Sequence, residues 1–336
     1  MKRSNEPSDE GREAILSIDG LIIAVEGGEG TPIVDNVSLS VRRGETVGLV
    51  GESGSGKSLT CLAAAGLLGS GLVTQGSIQI DGEDVTHMGS RRQREVLGTK
   101  VAMIFQEPMA SLNPVISVGH QLDEAIRHGS SDDRRDRTER AVELLEQVGI
   151  SEPRHRLKQY AHELSGGMCQ RIMIAMALAG EPELLIADEP TTALDVTIQA
   201  QILDLLRDLV TRLDMGLLLV THDLGVVAQT CERVCVMYGG RITESGPTQR
   251  ILDDPFHPYT EGLMKSVPVV GEDQPRLSSI PGSVPTADAM PTGCRFHPRC
   301  TYVIDRCTEA QPPLTGMEQD RYVACWIREE LNSDAS

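Results

Sequence analysis

The eight residues Gly51-Glu52-Ser53-Gly54-Ser55-Gly56-Lys57-Ser58 constrain the fold of this chain more than any other stretch. They have the form G-x-x-x-x-G-K-S. Glu45 to Val50, just before them, is short, apolar and β-branched, as a buried strand requires, and Leu59 to Ala65 after them reads as a helix. A glycine-rich turn between strand and helix lets successive backbone N–H groups curl around phosphate oxygens. Lys57 then reaches the β- and γ-phosphates, and the Ser58 hydroxyl ligates Mg²⁺ at the positive end of the helix. The bland alternative is a strand-to-helix turn that is merely rich in glycine.

A chain of 336 residues is long enough for two or three compact units. Its formal net charge of −18 argues against an extended nucleic-acid surface, which depends on clustered Lys and Arg, so no nucleic-acid partner is expected. The start, Met1 to Glu10, is polar and lacks the apolar core of a signal peptide, which predicts a disordered tail over residues 1–13. No stretch approaches the run of about 20 apolar residues that spans a bilayer; Ile172 to Ala179 comes nearest. A soluble, cytosolic chain is therefore expected, with any membrane role exerted through partners and with stable disulfides improbable for its eight cysteines.

Ile15 to Val25 and Ile33 to Val41 alternate apolar and polar residues in places and read as strands of an antiparallel layer. Ser77 to Ile80 is a strand ending at the turn dipeptide Asp81-Gly82, and Lys100 to Phe105 is another that delivers Gln106 at its end. Val118 to Arg127 and Arg137 to Val148 carry apolar residues at helical spacing, with Gly149 as a stop. The charged run Ser130 to Arg137 reads as a solvated loop or helix start. Leu184 to Ala187 and Gly216 to Val220 are wholly apolar strands, and their alternation with helices such as Thr197 to Leu213 predicts a mostly parallel sheet covered on both faces. From about Asp254 onward Pro, Gly and Cys become frequent and periodicity disappears, which marks a separate C-terminal extension.

The apolar strand from Leu184 ends in Asp188-Glu189, where one acid can hold Mg²⁺ and the next can polarise a water that attacks the γ-phosphate. Two acids after a strand are also a common helix start. Leu164-Ser165-Gly166-Gly167-Met168 opens the helical run Gln170 to Ala179 and makes an N-terminus suited to an anion, or simply a glycine-rich cap. Together with Gln106, Ala193-Leu194-Asp195 and His222, these motifs occur in the order and approximate spacing of an ATP-binding cassette ATPase, which the chain resembles. The resemblance implies an α/β fold: a P-loop NTPase (RecA-like) core with an antiparallel β subdomain, an inserted α-helical signature subdomain over about 107–170, and a Cys-containing extension. The cassette would span residues 14–253 and the extension 254–336.

By that resemblance Gly51, Ser53, Gly54, Ser55, Gly56, Lys57, Ser58 and Leu59 hold the ATP phosphates, and Ser58, Gln106 and Asp188 hold Mg²⁺. Glu189, His222 and Gln106 are the catalytic set, and Asp195 belongs to the D-loop. Ser165, Gly166 and Gly167 would act in trans on ATP held by a partner subunit. Gln106 to Pro114, Ala187 to Thr197 and His257-Pro258-Tyr259-Thr260 narrow the resemblance to the oligopeptide/dipeptide importer ATPases of bacteria, over nearly the whole chain from Leu16 to Trp326. That subgroup implies a second ATPase subunit, a paralogue in a heterodimer, two permease subunits, an extracytoplasmic peptide-binding protein, and a peripheral location on the cytoplasmic face of the membrane. Nickel, glutathione or another solute could replace peptide, and a soluble cassette ATPase unconnected with transport is the rival from another class.

Three departures from the family pattern stand out. No Phe, Tyr or Trp precedes Phe105, so the aromatic that family members stack on adenine is missing and Val25 is the nearest equivalent. A base stack worth about 1–3 kcal/mol is then absent, which predicts modest ATP affinity and relaxed base preference. Cys169 follows the signature and Ala161 stands where Pro is frequent; neither supplies a phosphate contact.

Cys294, Cys300, Cys307 and Cys325 lie in the extension at separations that match neither the pairs of structural zinc sites nor ferredoxin spacings. Chemistry alone leaves a four-thiolate site, zinc, and free or disulfide-forming cysteines all open. The subgroup resemblance implies a [4Fe–4S] cluster on these four. Cys61, Cys169, Cys231 and Cys235 read as small buried residues.

Overall fold

A computed structural model describes residues 13–28, 30–106, 111–127, 134–192, 194–266, 280–317 and 320–327. The expected disordered tail up to residue 12, Glu107 to Ala110 after the glutamine, and Ala193 lie outside the described residues. The strands, in chain order, are β1 (Ala14–Val25), β2 (Val34–Arg42), β3 (Thr46–Val50), β4 (Leu72–Ile80), β5 (Glu83–Asp84), β6 (Val101–Ile104), β7 (Leu184–Asp188), β8 (Gly216–Thr221), β9 (Arg233–Tyr238), β10 (Arg241–Pro247), β11 (Thr315–Gly316) and β12 (Tyr322–Val323).

Among the described residues they form a sheet in the order β2-β1-β4-β5 and a larger one in the order β11-β12-β10-β9-β3-β8-β7-β6. In the smaller sheet β1 runs antiparallel to both β2 and β4. In the larger sheet β9, β3, β8, β7 and β6 are parallel. Every residue of β3, β7 and β8 is buried, which is what an unbroken apolar run requires when both faces of a sheet are covered. The two faces feed different cores. Leu185, Ala187, Leu217 and Leu219 pack with the helices Val118–Arg127, Gly166–Leu178 and Val196–Leu213. Their neighbours Leu184, Ile186, Leu218 and Val220 pack against the antiparallel sheet and the helix Lys57–Ala64.

The expected strands and helices are present with small shifts. β4 begins at Leu72 rather than Ser77, because its first residues carry little buried surface and show no apolar alternation. The helix Ser90–Lys100 was not foreseen: most of it is Arg, Gln, Glu and Ser, and only Val96 and Leu97 are buried. The helix expected from Arg137 starts at Arg134, and Gly149 follows it with φ +73°, a left-handed stop.

The C-terminal extension is tied into the cassette by main-chain pairing. β12 adds to the free side of β10 and carries β11, with Ala324 N–H donating to Thr243 O at 2.8 Å. Cys294, Phe296, Cys307 and Trp326 belong to the same apolar cluster as the helix Gly166–Leu178. At the junction the buried Glu244 carboxylate accepts the backbone N–H groups of Phe256 (2.9 Å) and His257 (3.0 Å) and pairs with Arg321 at 3.0 Å.

His257 is 2 % exposed, and its Nδ1 caps the helix Pro258–Lys265 by accepting Tyr259 N–H at 3.0 Å. Burial pushes its imidazolium down to about 3 from an ordinary value of 6.5. The folded state thus binds fewer protons than the unfolded one between those values, so stability falls as pH drops from 6.5 toward 3. At pH 5 the loss from this group alone is about 2 kcal/mol. Urea midpoints at pH 7 and pH 5 should differ clearly for the native chain and less for His257→Asn, which keeps a cap without the titration; equal shifts would place the acid sensitivity elsewhere.

Candidate functional site

The phosphate-binding loop leaves the buried end of β3 and enters the helix Lys57–Ala64. Two of its glycines are irreplaceable for physical reasons. A Cβ on Gly51 would stand 2.1 Å from the Met237 carbonyl oxygen, and Gly56, the N-cap, has φ +101° with no side-chain cap. The first N–H groups of that helix therefore have no intrahelical partner and face outward as donors. Ser55 is buried, Ser53, Gly54 and Ser58 are exposed, and Leu59 is half-buried against the apolar core behind the loop.

Lys57 is 6 % exposed, and its ammonium donates to Gly51 O (2.7 Å), Glu52 O (3.0 Å) and Ser55 Oγ (3.5 Å). Burial pulls it below its ordinary pKa, while Glu189, Asp188 and Glu52 act in the opposite direction. A cation so placed gains most from a polyanion arriving over the loop.

Opposite the loop, β7 ends in Asp188 and the chain turns at Glu189. Asp188 is 8 % exposed; burial raises its pKa although it hydrogen-bonds Ser58, and its Oδ1 is buried without a hydrogen-bond partner. A buried carboxylate oxygen with an unused lone pair beside the Ser58 hydroxyl fits a hard divalent cation such as Mg²⁺. Glu189 has φ +47°, a left-handed backbone that a non-glycine residue adopts at a cost.

Three side chains converge on Glu189. His222 Nδ1, after β8, stands 3.0 Å from its Oε1. Gln106 Nε2 donates to Oε2 at 3.0 Å and Thr192 Oγ1 donates to the same oxygen at 2.9 Å. Burial raises the Glu189 pKa, but the bonds from His222 and Thr192 outweigh it, and the carboxyl lies below its ordinary value. It is an ionised acceptor at neutral pH, able to orient and polarise a water. The structure thus gathers Gln106, Glu189 and His222 as the sequence proposed and adds Thr192, which a reading by motif passed over. Its signal was its place three residues after Glu189, at the far end of a tight turn closed by Thr192 N–H donating to Glu189 O at 3.2 Å.

Ser165 caps the helix Gly166–Leu178, its Oγ accepting Met168 N–H at 3.3 Å. Ser165 and Gly166 are exposed, and a Cβ on Gly166 or Gly167 would meet Leu194 or Ile198 respectively, not the phosphate loop. Asp195 caps the helix Val196–Leu213 through Ile198 N–H at 3.0 Å, and Val196 beside it is 82 % exposed. Val25 closes β1 with 55 % of its surface exposed, an uncovered apolar side chain at the place proposed for adenine.

Glu52, Tyr259 and Arg299 also belong to the loop's surroundings and were not foreseen. Glu52 N–H donates to the Tyr259 hydroxyl at 2.8 Å, and both Glu52 carboxylate oxygens accept from Arg299, at 2.7 and 3.1 Å.

Among the four extension cysteines, Cys294 and Cys307 are buried and Cys300 and Cys325 half-buried, and none of the chain's eight is in a disulfide. Burial pushes the Cys294 thiol up to about 11, with Cys307, Cys325 and Cys300 close enough to push the same way. Cys294 N–H donates to Cys307 O at 2.8 Å, and Cys300 Sγ accepts Tyr302 N–H at 3.4 Å. The four thiols are neighbours. Among the described residues, however, no group of three or more His, Cys, Asp or Glu side chains is arranged to hold a metal ion. Nor is any described helix long and apolar enough to cross a membrane.

Comparison with known proteins matches two stretches of the chain. Residues 34–192 match the ABC transporter family, and residues 243–307 match the family described as oligopeptide/dipeptide transporter, C-terminal region. The chain is 48 % identical to the oligopeptide transport ATP-binding protein AppD of Bacillus subtilis, over 92 % of this chain and 94 % of that one. It is 47 % identical to the dipeptide transport ATP-binding protein DppD of Escherichia coli, over 93 % and 96 % respectively. Among solved structures, cbiO1 of Clostridium perfringens, part of an ABC transporter complex, superposes with a TM-score of 0.63 at 27 % identity, over 72 % of this chain and 91 % of its own. The cassette MJ0796, in a dimeric post-hydrolysis state with ADP and Pi, gives 0.60 at 26 % identity, over 69 % and 98 %.

Proposed function

The chain belongs to the ATP-binding cassette transporter family, and from that membership we propose that it is the ATP-hydrolysing subunit of an importer for di- and oligopeptides. The observation that carries the peptide assignment is the agreement with peptide-transport ATPases along nearly the whole chain, including the region 243–307, beyond the stretch 34–192 that matches the general transporter family. ATP is held at Gly51 to Leu59, with Lys57 on the β- and γ-phosphates. Ser58, Asp188 and Gln106 would hold Mg²⁺, which would supply positive charge against that developing on the phosphates. Glu189 orients the attacking water, Gln106 and Thr192 keep its carboxylate aimed, and His222 faces the γ-phosphate.

Ser165 to Gly167, where a Cβ on either glycine would meet Leu194 or Ile198 and not the loop of the same chain, serve ATP on a second ATPase subunit, with Asp195 beside that interface. The pair is a heterodimer with a paralogue, seated on two permease subunits at the cytoplasmic face of the membrane and served by an extracytoplasmic peptide-binding protein. The cassette occupies residues 14–253, with its helical insertion over about 107–170, and the extension 254–336. Affinity purification from membranes should recover two polytopic permeases, and deleting the gene should abolish uptake of radiolabelled dipeptides. Recovery without any permease, or a chain whose loss affects nickel or glutathione uptake instead, overturns the peptide reading.

The four neighbouring thiols of Cys294, Cys300, Cys307 and Cys325 form a donor set suited to a [4Fe–4S] cluster. Protein purified without oxygen is expected to carry iron and acid-labile sulfide and to absorb in the visible, and Cys300→Ser to lose all three; an iron-free, colourless native preparation sinks the assignment.

A further inference from the structure

We infer that Arg299, carried by the cysteine-bearing extension, is a positioning residue for the phosphate loop: it pins Glu52 and neutralises that carboxylate beside Lys57. The inference deepens the proposed function and rests on ATP binding at Gly51 to Ser58.

Glu52 is the first variable residue of the loop. Its backbone carbonyl holds the Lys57 ammonium at 3.0 Å, and its N–H is held by the Tyr259 hydroxyl at 2.8 Å. An anionic side chain at such a position repels polyphosphate and competes for Lys57, whose electrostatic neighbours include Glu52. Arg299 meets it with a two-pronged guanidinium–carboxylate pair, the geometry that fixes direction as well as charge. The Arg299 side chain is 7 % exposed against 26 % for Glu52, so the pair is screened only from one side.

A rigid platform backs the pair. Tyr238 and Tyr259 meet edge to face at 4.7 Å, and Phe296 packs on both, at 5.1 and 5.4 Å. In a chain with three Phe, five Tyr and one Trp, this concentration at the back of one loop marks where stiffness is placed. Arg295, four residues before Arg299, bonds Gly239 O and pairs with Asp35, and the adjoining Gly240 N–H donates to Ser55 O at 2.9 Å. Both arginines between Cys294 and Cys300 therefore act on the loop or on its immediate support.

Arg299 also donates to Pro281 O (2.8 Å), Ile280 O (3.2 Å) and Gly282 O (3.3 Å), so a purely architectural role is the competing explanation. A second-site rescue separates the two. Titration of a fluorescent ATP analogue into the full-length chain should give a Kd raised about tenfold by Arg299→Gln, equivalent to ~1.4 kcal/mol, and thermal unfolding reports whether the variant is folded. Adding Glu52→Gln should recover most of that loss, because the uncompensated carboxylate is gone. A Kd unchanged in Arg299→Gln, or a loss that Glu52→Gln leaves unrepaired, overturns the inference. Should Arg299→Gln not fold, Arg299→Lys keeps the charge but loses the fork and with it the bonds to Pro281, Ile280 and Gly282; its Kd should then stay within about threefold of native, and a rise as large as that expected for Arg299→Gln in a folded Arg299→Lys is equally fatal. Absence of ATP binding by the native chain would remove the proposed function as well, whereas native binding with unaffected variants removes this inference alone.

Discussion

Glu189→Gln is expected to lower ATP turnover at sites built on this chain by at least about 100-fold, within the range typical for loss of a positioned acid–base group, while leaving ATP binding intact. The substitution is nearly isosteric and keeps an oxygen for the Gln106 and Thr192 donors that now reach Oε2 at 3.0 and 2.9 Å. What it removes is the negative charge, which His222 and Thr192 hold in place below the ordinary carboxylate pKa. A water beside an amide is no longer polarised toward the γ-phosphate. Steady-state hydrolysis by the assembled transporter, with this chain's variant and a native partner, reads the effect, and single-turnover measurements separate chemistry from release. Unchanged turnover would show that Glu189 is not the catalytic carboxylate. Its left-handed backbone would then need another explanation, since strain of that kind persists where the surroundings over-determine it.

Arg321→Met is expected to cost the chain about 3–5 kcal/mol of stability, because it leaves Glu244 charged in a site 1 % exposed at the side chain. Two backbone N–H groups still serve Glu244, but among the described residues the cation paired with it is Arg321, which also lies 3.8 Å over the Phe256 ring and bonds Asp254 O. For a chain of 336 residues, with an unfolding entropy of about 2.1 cal/mol/K per residue, the loss corresponds to a fall in Tm of roughly 4–7 °C. Glu244→Gln in the same chain should restore a large part of it, since the penalty is the unpaired charge and not the missing contact. A Tm within a degree or two of native would mean that the pair is silent and that packing alone holds the extension.

The legible and illegible parts of the site differ in how the information is carried. Lys57, Asp188, Glu189 and His222 were readable because phosphate chemistry demands particular side chains at the ends of particular strands, and each strand announces itself by an unbroken apolar run. Glu52, Tyr259 and Arg299 were not. Glu52 counted only as a variable position, and its partners lie 207 and 247 residues away, beyond any periodicity. The helix Ser90–Lys100 escaped because its buried surface is confined to Val96 and Leu97, too little for a helical stripe. β11 and β12 escaped because two residues cannot show alternation; their pairing is dictated by the open side of β10.

That pairing sets an order on biosynthesis. Until Tyr322 and Val323 have left the ribosome, β10 presents its outer N–H and C=O groups to whatever strand is nearest, and Glu244 stays without its arginine. The nascent cassette is therefore complete in its nucleotide motifs a full 100 residues before its sheet can close, counted from His222 to Tyr322. A polypeptide cut short between Pro247 and Tyr322 would retain the nucleotide motifs of the cassette together with an open edge at β10, the combination that invites pairing with a second chain.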